Sequence, residues 1–167
     1  MTSSDFEHPL TRAIAIFLGQ IGLDIRAGAV PDETALPGID IDHGVLVVDE
    51  ARLAYPGDLL HEAGHLAVAA PDQRASFHHD VGNDGGEEMG AIAWSYAAAL
   101  HLEIDPALVF HAAGYRGGGA SILENFAAGK YFGVPYLAWC GMTNHTGRAA
   151  RADMAPFPAM QKWLRDA

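Results

Sequence analysis

The sequence predicts an α+β fold in which helices predominate and a small sheet packs on one central helix. Apolar residues recur at helical spacing in residues 9–21 and 87–102, and residues 59–68 form an apolar segment that ends before Pro71. Residues 44–49 are a short β-branched run between turn residues, which is typical of a strand. The pattern therefore indicates three longer helices, with a strand just before the middle one.

The composition limits the classes of protein. A length of 167 residues suits a single domain over residues 1–167, which is long enough to bury a core. Ten basic against 21 acidic residues give a net charge of −11, which disfavours nucleic acid and anionic membranes as partners. Cys140 is the single cysteine and the first residues lack a secretory-signal pattern, so we expect a cytoplasmic protein. No apolar run reaches the roughly 18 residues of a membrane-spanning helix.

Other segments carry weaker signals. Residues 24–42, rich in Gly, Pro and Asp, predict a loop with at most one short strand, and the polar residues 72–86 predict a second loop. Residues 107–113 predict a short helix, and Ser121 with Glu124 forms a capping-box pattern that predicts a helix to about residue 132. A short terminal helix is expected over residues 156–164.

The pattern His61-Glu62-Ala63-Gly64-His65 carries the main chemical signal. We expect it on a helix that begins near Asp58, a good N-cap. Histidines four residues apart share one face of a helix, so both imidazoles can bind one Zn²⁺ ion. Glu62 lies one position further round, where it can act as a general base without being a ligand. A random chain of this composition would contain the pattern about 2% of the time.

A zinc ion held by two histidines needs a third protein ligand. Glu87 and Glu88 are the candidates, because they open the next predicted helix. We favour Glu88, since the residues that continue its face are small or apolar and suit close helix packing. These residues are Ala91, Ile92, Ser95 and Ala99. Glu87 would then support the site from outside or lie on the surface. The alternative for both acids is that they complement the helix dipole.

Residues 61–65, together with Glu88-Met89-Gly90-Ala91 and Trp94, resemble the gluzincins. The small cytoplasmic branch that includes the ImmA/IrrE-like peptidases is the most similar, and the resemblance covers about residues 44–100. It implies a minimal zincin-like fold and a zinc metallopeptidase that acts on a peptide or protein. It also implies that His61, His65 and Glu88 hold the zinc ion and that Glu62 is the general base.

The implied reaction is metal-assisted hydrolysis, in which zinc acidifies a water molecule and polarises a carbonyl while Glu62 takes the proton. An oxyanion stabiliser is usually needed as well, and His111, Tyr115 and His145 are the candidates. Residues 45–48 either form an edge to which an extended peptide adds or are an ordinary core strand.

Several alternatives stay open. His78 and His79 lie in a predicted loop, where neighbouring histidines are more often solvated than metal-bound. Residues 115–119 lack the Gly-Lys-Ser/Thr of a phosphate-binding loop, so we interpret them as a turn or hinge. The competing function is a zinc-containing regulatory or protein-binding domain without turnover, and a helical domain without metal is the third possibility.

Overall fold

The computed structural model describes residues 5–167, and this part of the chain contains six α-helices and one three-stranded sheet. The helices are α1 (Pro9–Ile21), α2 (Asp58–Val68), α3 (Pro71–Ser76), α4 (Gly85–His101), α5 (Gly119–Ala127) and α6 (Val134–Trp139). The strands are β1 (Ile25–Ala27), β2 (Ile39–Asp42) and β3 (Val45–Val48). This is the predicted α+β class with helices in the majority. Within the described residues, each helix is too short or too polar to cross a bilayer.

The sheet has the strand order β1-β3-β2, with β1 parallel and β2 antiparallel to β3. Leu46, Val47 and Val48 are buried in the central strand. Both sides of β3 are therefore occupied, and the expectation that residues 45–48 offer an edge to an added peptide is wrong. The alternative, a core strand, is the one that the structure shows.

Residues 24–42 hold two of the three strands, so the prediction of a loop with at most one strand is also wrong. In β2 the apolar residues alternate with acids, and Ile39 and Ile41 are both buried while Asp40 and Asp42 are more exposed. This period of two is the signal of a half-buried strand. Strand β2 is only four residues long, so its alternation is hard to recognise among the surrounding Gly and Pro residues.

Helix α1 has the predicted bounds because both of its ends are capped. The His8 side chain accepts a hydrogen bond from the backbone amide of Leu10, and Pro9 stands at the first helical position. At the other end Gly22 has φ +91°, and the Leu23 amide donates to the Leu18 carbonyl. This is the Schellman arrangement that glycine favours.

Helix α2 begins at Asp58, but Gly57 is its N-cap and Asp58 is the first helical residue. A side chain at position 57 would collide with the carbonyl of Leu108, so glycine is required there. At the far end of α2 the guanidinium of Arg74 donates to the carbonyls of Leu66 and Ala69, at 2.6 and 3.1 Å. These bonds satisfy carbonyls that the helix leaves free.

Four weaker predictions differ from the structure. Residues 71–76 form α3, with Pro71 at its first position, where a loop was expected. The expected helix over residues 107–113 is only a 3-10 turn, Pro106–Leu108. Helix α5 begins at Gly119 and ends at Ala127, so Ser121 lies inside it and does not cap it. Residues 156–164 form no helix.

Helices α2 and α4 form the central packing pair of the fold. Gly64 faces Ala91 so closely that a Cβ atom at position 64 would lie 2.7 Å from the Ala91 carbonyl oxygen. The predicted small face of α4 is buried here, as Ala91, Ser95 and Ala99 are each 0% exposed. Two helices can approach this closely only where small residues line the contact.

Candidate metal centre

The side chains of His61, His65 and Glu88 converge between α2 and α4. The Nε2 atoms of the two histidines are 3.2 Å apart. The Glu88 carboxylate lies 3.0 Å from Nε2 of His65 through Oε2, and 3.6 Å from Nε2 of His61 through Oε1. The sequence prediction that Glu88, not Glu87, meets the histidines agrees with this geometry.

These distances fit one tetrahedral metal ion. With metal–ligand bonds of 2.0–2.2 Å, two donors on a zinc ion are about 3.3 Å apart, and the three measured separations bracket that value. Two imidazole nitrogens and one carboxylate oxygen are also a zinc donor set that leaves a fourth position open. The residues present therefore fit a zinc ion in both spacing and chemistry.

The pKa values of the three side chains shift in different directions. Burial, together with a smaller effect of the nearby His65, lowers the pKa of His61 to about 4. Its imidazole is therefore neutral at physiological pH, as a metal ligand must be. Burial opposes the charged form of His65, but the hydrogen bond to Glu88 and the charge of Glu62 outweigh it and raise its pKa. The hydrogen bond with His65 lowers the pKa of Glu88.

Glu62 stands beside the donors with a free carboxylate. It is half-buried, and among residues 5–167 it has no hydrogen-bond or salt-bridge partner. It lines a small cavity of about 60 Å³ together with β2 residues and Asp80. Burial raises its pKa to about 7, with smaller effects from nearby charges. A carboxylate with a pKa near neutrality can both accept and release a proton.

Glu87 points to a different partner. Its carboxylate accepts a hydrogen bond of 3.0 Å from the side-chain amide of Gln73 on α3. Its backbone amide donates to the Asp84 side chain, which caps α4. Glu87 thus links α4 to α3, outside the converging donor set.

Two of the three oxyanion candidates lie close to the donors. The Tyr115 ring packs edge-on against His61, with 5.1 Å between centroids, and its hydroxyl is buried close to Ser95 but makes no hydrogen bond of standard geometry within residues 5–167. Burial raises the Tyr115 pKa well above its usual range, so the phenol keeps its proton. His111 instead forms a 2.6 Å hydrogen bond with Asp58. His145 lines none of the cavities beside the donors.

The pairing of Asp58 with His111 was not anticipated from the sequence. Asp58 is buried, and Tyr55 stacks on the His111 ring with 3.9 Å between centroids. Burial raises the pKa of Asp58, and the His111 hydrogen bond opposes this effect. The sequence does show Asp58 one helical turn before His61, but an acid at that place is typical of a helix cap.

The candidate centre opens into a cleft. A cavity of about 200 Å³ is lined by Asp58, His61, Glu88, Tyr115 and Arg116, among others. A second cavity of about 540 Å³ shares Glu88, Tyr115 and Arg116 with it and continues along the start of α4. We call these two adjoining cavities together the site cleft. A separate cavity of about 670 Å³ lies between α1 and β1 and contains none of these groups.

Histidines 78 and 79 join a separate group on the surface. Nδ1 atoms of His43 and His78 both lie near one oxygen of Asp42, at 2.8 and 3.3 Å, and Arg26 bonds the other oxygen at 3.1 Å. His79 pairs with Asp40 at 2.9 Å. Arg26 already pairs with Asp42, and His43 and His78 are exposed whereas His61 and His65 are largely buried, so this group fits a metal less well than His61, His65 and Glu88 do.

Comparison of the chain with protein-family models, with curated proteins and with solved structures finds no match.

Proposed function

We propose that this protein is a zinc-dependent hydrolase of the gluzincin type with a minimal zincin-like fold, and that its substrate is a peptide or protein. The observation that carries the proposal is the convergence of His61, His65 and Glu88 at tetrahedral spacing, with the unpaired carboxylate of Glu62 beside them. A purely structural zinc site closes all four positions and needs no adjacent base.

Metal binding and proton transfer are assigned to different residues. His61, His65 and Glu88 would hold Zn²⁺, which when bound supplies Lewis-acid polarisation of a carbonyl and of a water molecule. Glu62 takes the proton from the attacking water and later gives it to the leaving amine. Its carboxylate is free for this role because no protein group within residues 5–167 occupies it.

Tyr115 is the donor best placed to stabilise an oxyanion. Within residues 5–167 its protonated hydroxyl makes no hydrogen bond of standard geometry, although Ser95 is near it, and Tyr115 lines the same cavity as His61 and Glu88. A buried donor with no partner is costly, which favours a role with a substrate. His111 is engaged by Asp58, so we assign it to positioning the start of α2 and the loop before Tyr115.

A peptide suits the site cleft better than a compact small molecule does. The two cavities share Glu88, Tyr115 and Arg116, both are open to solvent, and one of them follows the start of α4. An extended chain can lie along such a cleft with one amide beside the metal centre.

Two measurements test the proposal. Emission spectrometry on protein purified without chelator should find about one zinc per chain, given one three-ligand site. Digestion of a mixed peptide library should then yield products with the wild type and not with Glu62→Gln. A protein free of transition metal would overturn the proposal.

The second candidate is a zinc-containing regulatory or binding domain without turnover. The observation that favours it concerns the edges of the sheet. Strand β3 is internal, and the backbone amide of His79 donates to the carbonyl of Ile41 on the outer side of β2, at 2.8 Å. That edge is therefore partly closed to an added peptide. Zinc bound in both wild type and Glu62→Gln, with both inert toward every peptide, would favour this candidate.

A further inference from the structure

Arg116 is the one basic residue among those that line the site cleft. The acids Asp58, Asp84 and Glu88 line the same two cavities, and the whole chain carries a net charge of −11. Among these carboxylates, Arg116 is the permanently charged cation to which an anionic group of a ligand could bind.

In the described part of the chain, the Arg116 side chain has no hydrogen-bond or salt-bridge partner. Six of the eight arginines donate hydrogen bonds to carbonyl or carboxylate oxygens. Within residues 5–167, Arg116 and Arg148 make no hydrogen bond and no salt bridge. Arg148 lies outside the cleft, in the turn Gly147–Ala149. The guanidinium of Arg116 is thus free beside the candidate metal centre.

The backbone also holds Arg116 in an unfavourable conformation. Tyr115 and Arg116 have φ of +55° and +53°, in the left-handed region that L-residues avoid. Each such residue costs roughly 1–2 kcal/mol relative to the right-handed form. A glycine would adopt this conformation without that cost, yet a tyrosine and an arginine stand there, and both line the cavity that contains His61. Of the five non-glycine residues with positive φ in the described part of the chain, Tyr115 and Arg116 are the two that line the site cleft, and such strain is often found at ligand-binding sites.

We infer that Arg116 binds a carboxylate of the substrate, so that the site cleft selects peptides with an anionic group close to the amide that is cleaved. The inference rests on the proposed peptidase function. A guanidinium matches a carboxylate with two parallel hydrogen bonds. A doubly charged phosphate fits less well, because Asp58, Asp84 and Glu88 would repel it.

The test uses hydroxamates, which bind zinc sites directly and so need no substrate. The monohydroxamate of succinic acid is compared with its primary amide, which has the same length and no charge, by calorimetry on the zinc-loaded full chain. The acid should bind about two- to fivefold more tightly, as expected for an exposed ion pair. This preference should disappear in Arg116→Gln and persist in Arg148→Gln. It should also shrink in about 0.5 M NaCl.

The outcomes separate the two proposals. If the amide binds wild type and Arg116→Gln equally, the variant is folded and the metal centre is intact. Equal binding of acid and amide to the wild type, or a preference that survives Arg116→Gln, overturns the role of Arg116 and leaves the hydrolase proposal standing. If neither hydroxamate binds the zinc-loaded protein, the proposed function fails, and this inference fails with it.

Two sources can supply the carboxylate, and peptides distinguish them. Amidation of the C-terminus removes the terminal carboxylate, while exchange of Glu for Gln removes a side-chain carboxylate. Loss of cleavage on amidation identifies a carboxypeptidase-like preference, and loss on the Glu-to-Gln exchange identifies an acidic side chain. Cleavage that is indifferent to both changes would contradict the inference.

Discussion

The Glu88 carboxylate lies 3.0 Å from the imidazole of His65, although the two residues belong to different helices. Their approach depends on Gly64, next to His65, which lets α2 contact α4 at Ala91. The third donor of the candidate metal centre is therefore set by helix packing. The following predictions test the donors, the base and this packing.

Glu88→Gln should weaken zinc binding by at least about tenfold, because an amide oxygen is a poorer ligand than a carboxylate and substitutions that only support a ligand already cost that much. Glu87→Gln is the matched control, since its carboxylate bonds Gln73 instead of facing the histidines. Competition with a zinc-binding dye measures both. The reverse order of effects would make Glu87 the third ligand.

Glu62→Gln should keep its zinc and its fold, while hydrolysis falls by roughly 10²- to 10⁴-fold, the usual contribution of a general base. The side chain lies beside the donor set without belonging to it, so metal content should not change. Metal analysis and peptide cleavage are measured on the same preparation. Loss of zinc from this variant would show that Glu62 is itself a ligand.

His61→Ala should lose both zinc and thermal stability. A metal that binds only the folded state stabilises it, by about 2.7 kcal/mol when its free concentration is 100 times the dissociation constant. Chelator should therefore lower the melting temperature of the wild type and leave that of His61→Ala unchanged. An equal chelator effect on both proteins would place the stabilising metal elsewhere, for example at Asp42, His43 and His78.

Gly64→Ala should reduce the free energy of unfolding by about 1–3 kcal/mol, although alanine is the better helix former. The added Cβ would meet the Ala91 carbonyl at 2.7 Å and push α4 away, so zinc affinity should fall too. Gly19→Ala is the control: its Cβ has nothing within 4 Å, and it should stabilise α1 by roughly 0.5–1 kcal/mol. Denaturant unfolding of both variants measures the difference, and a stabilised Gly64→Ala would contradict the close packing.

Tyr115→Phe should leave stability unchanged or raise it by up to about 1 kcal/mol, because it removes a buried hydroxyl without a partner. If that hydroxyl stabilises the oxyanion, kcat should fall by about 10²- to 10³-fold with little change in KM. Thermal unfolding and steady-state kinetics separate the two effects. Unchanged kcat would leave Tyr115 as a packing residue against His61.

The parts of the fold that the sequence predicted well depend on local interactions. Helix α1 has its expected bounds because His8, Pro9 and Gly22 cap it within the chain itself. The strands β1 and β2 were missed because segments of three and four residues carry too little periodicity to stand out among Gly and Pro residues. The edge position assigned to residues 45–48 was wrong because strand order depends on long-range pairing.

The same division holds for the candidate metal centre. Two histidines at spacing four must share a helix face, so the sequence by itself determined that His61 and His65 lie on one face of α2. The sequence favoured Glu88 over Glu87, but only the tertiary structure brought the Glu88 carboxylate to 3.0 Å from His65, paired Asp58 with His111, and brought Tyr115 and Arg116 to the cleft. The physical reason is the distance along the chain over which each interaction acts. Helical geometry is set by neighbouring residues, whereas these contacts join distant segments that meet only because Gly64 lets α2 and α4 pack together.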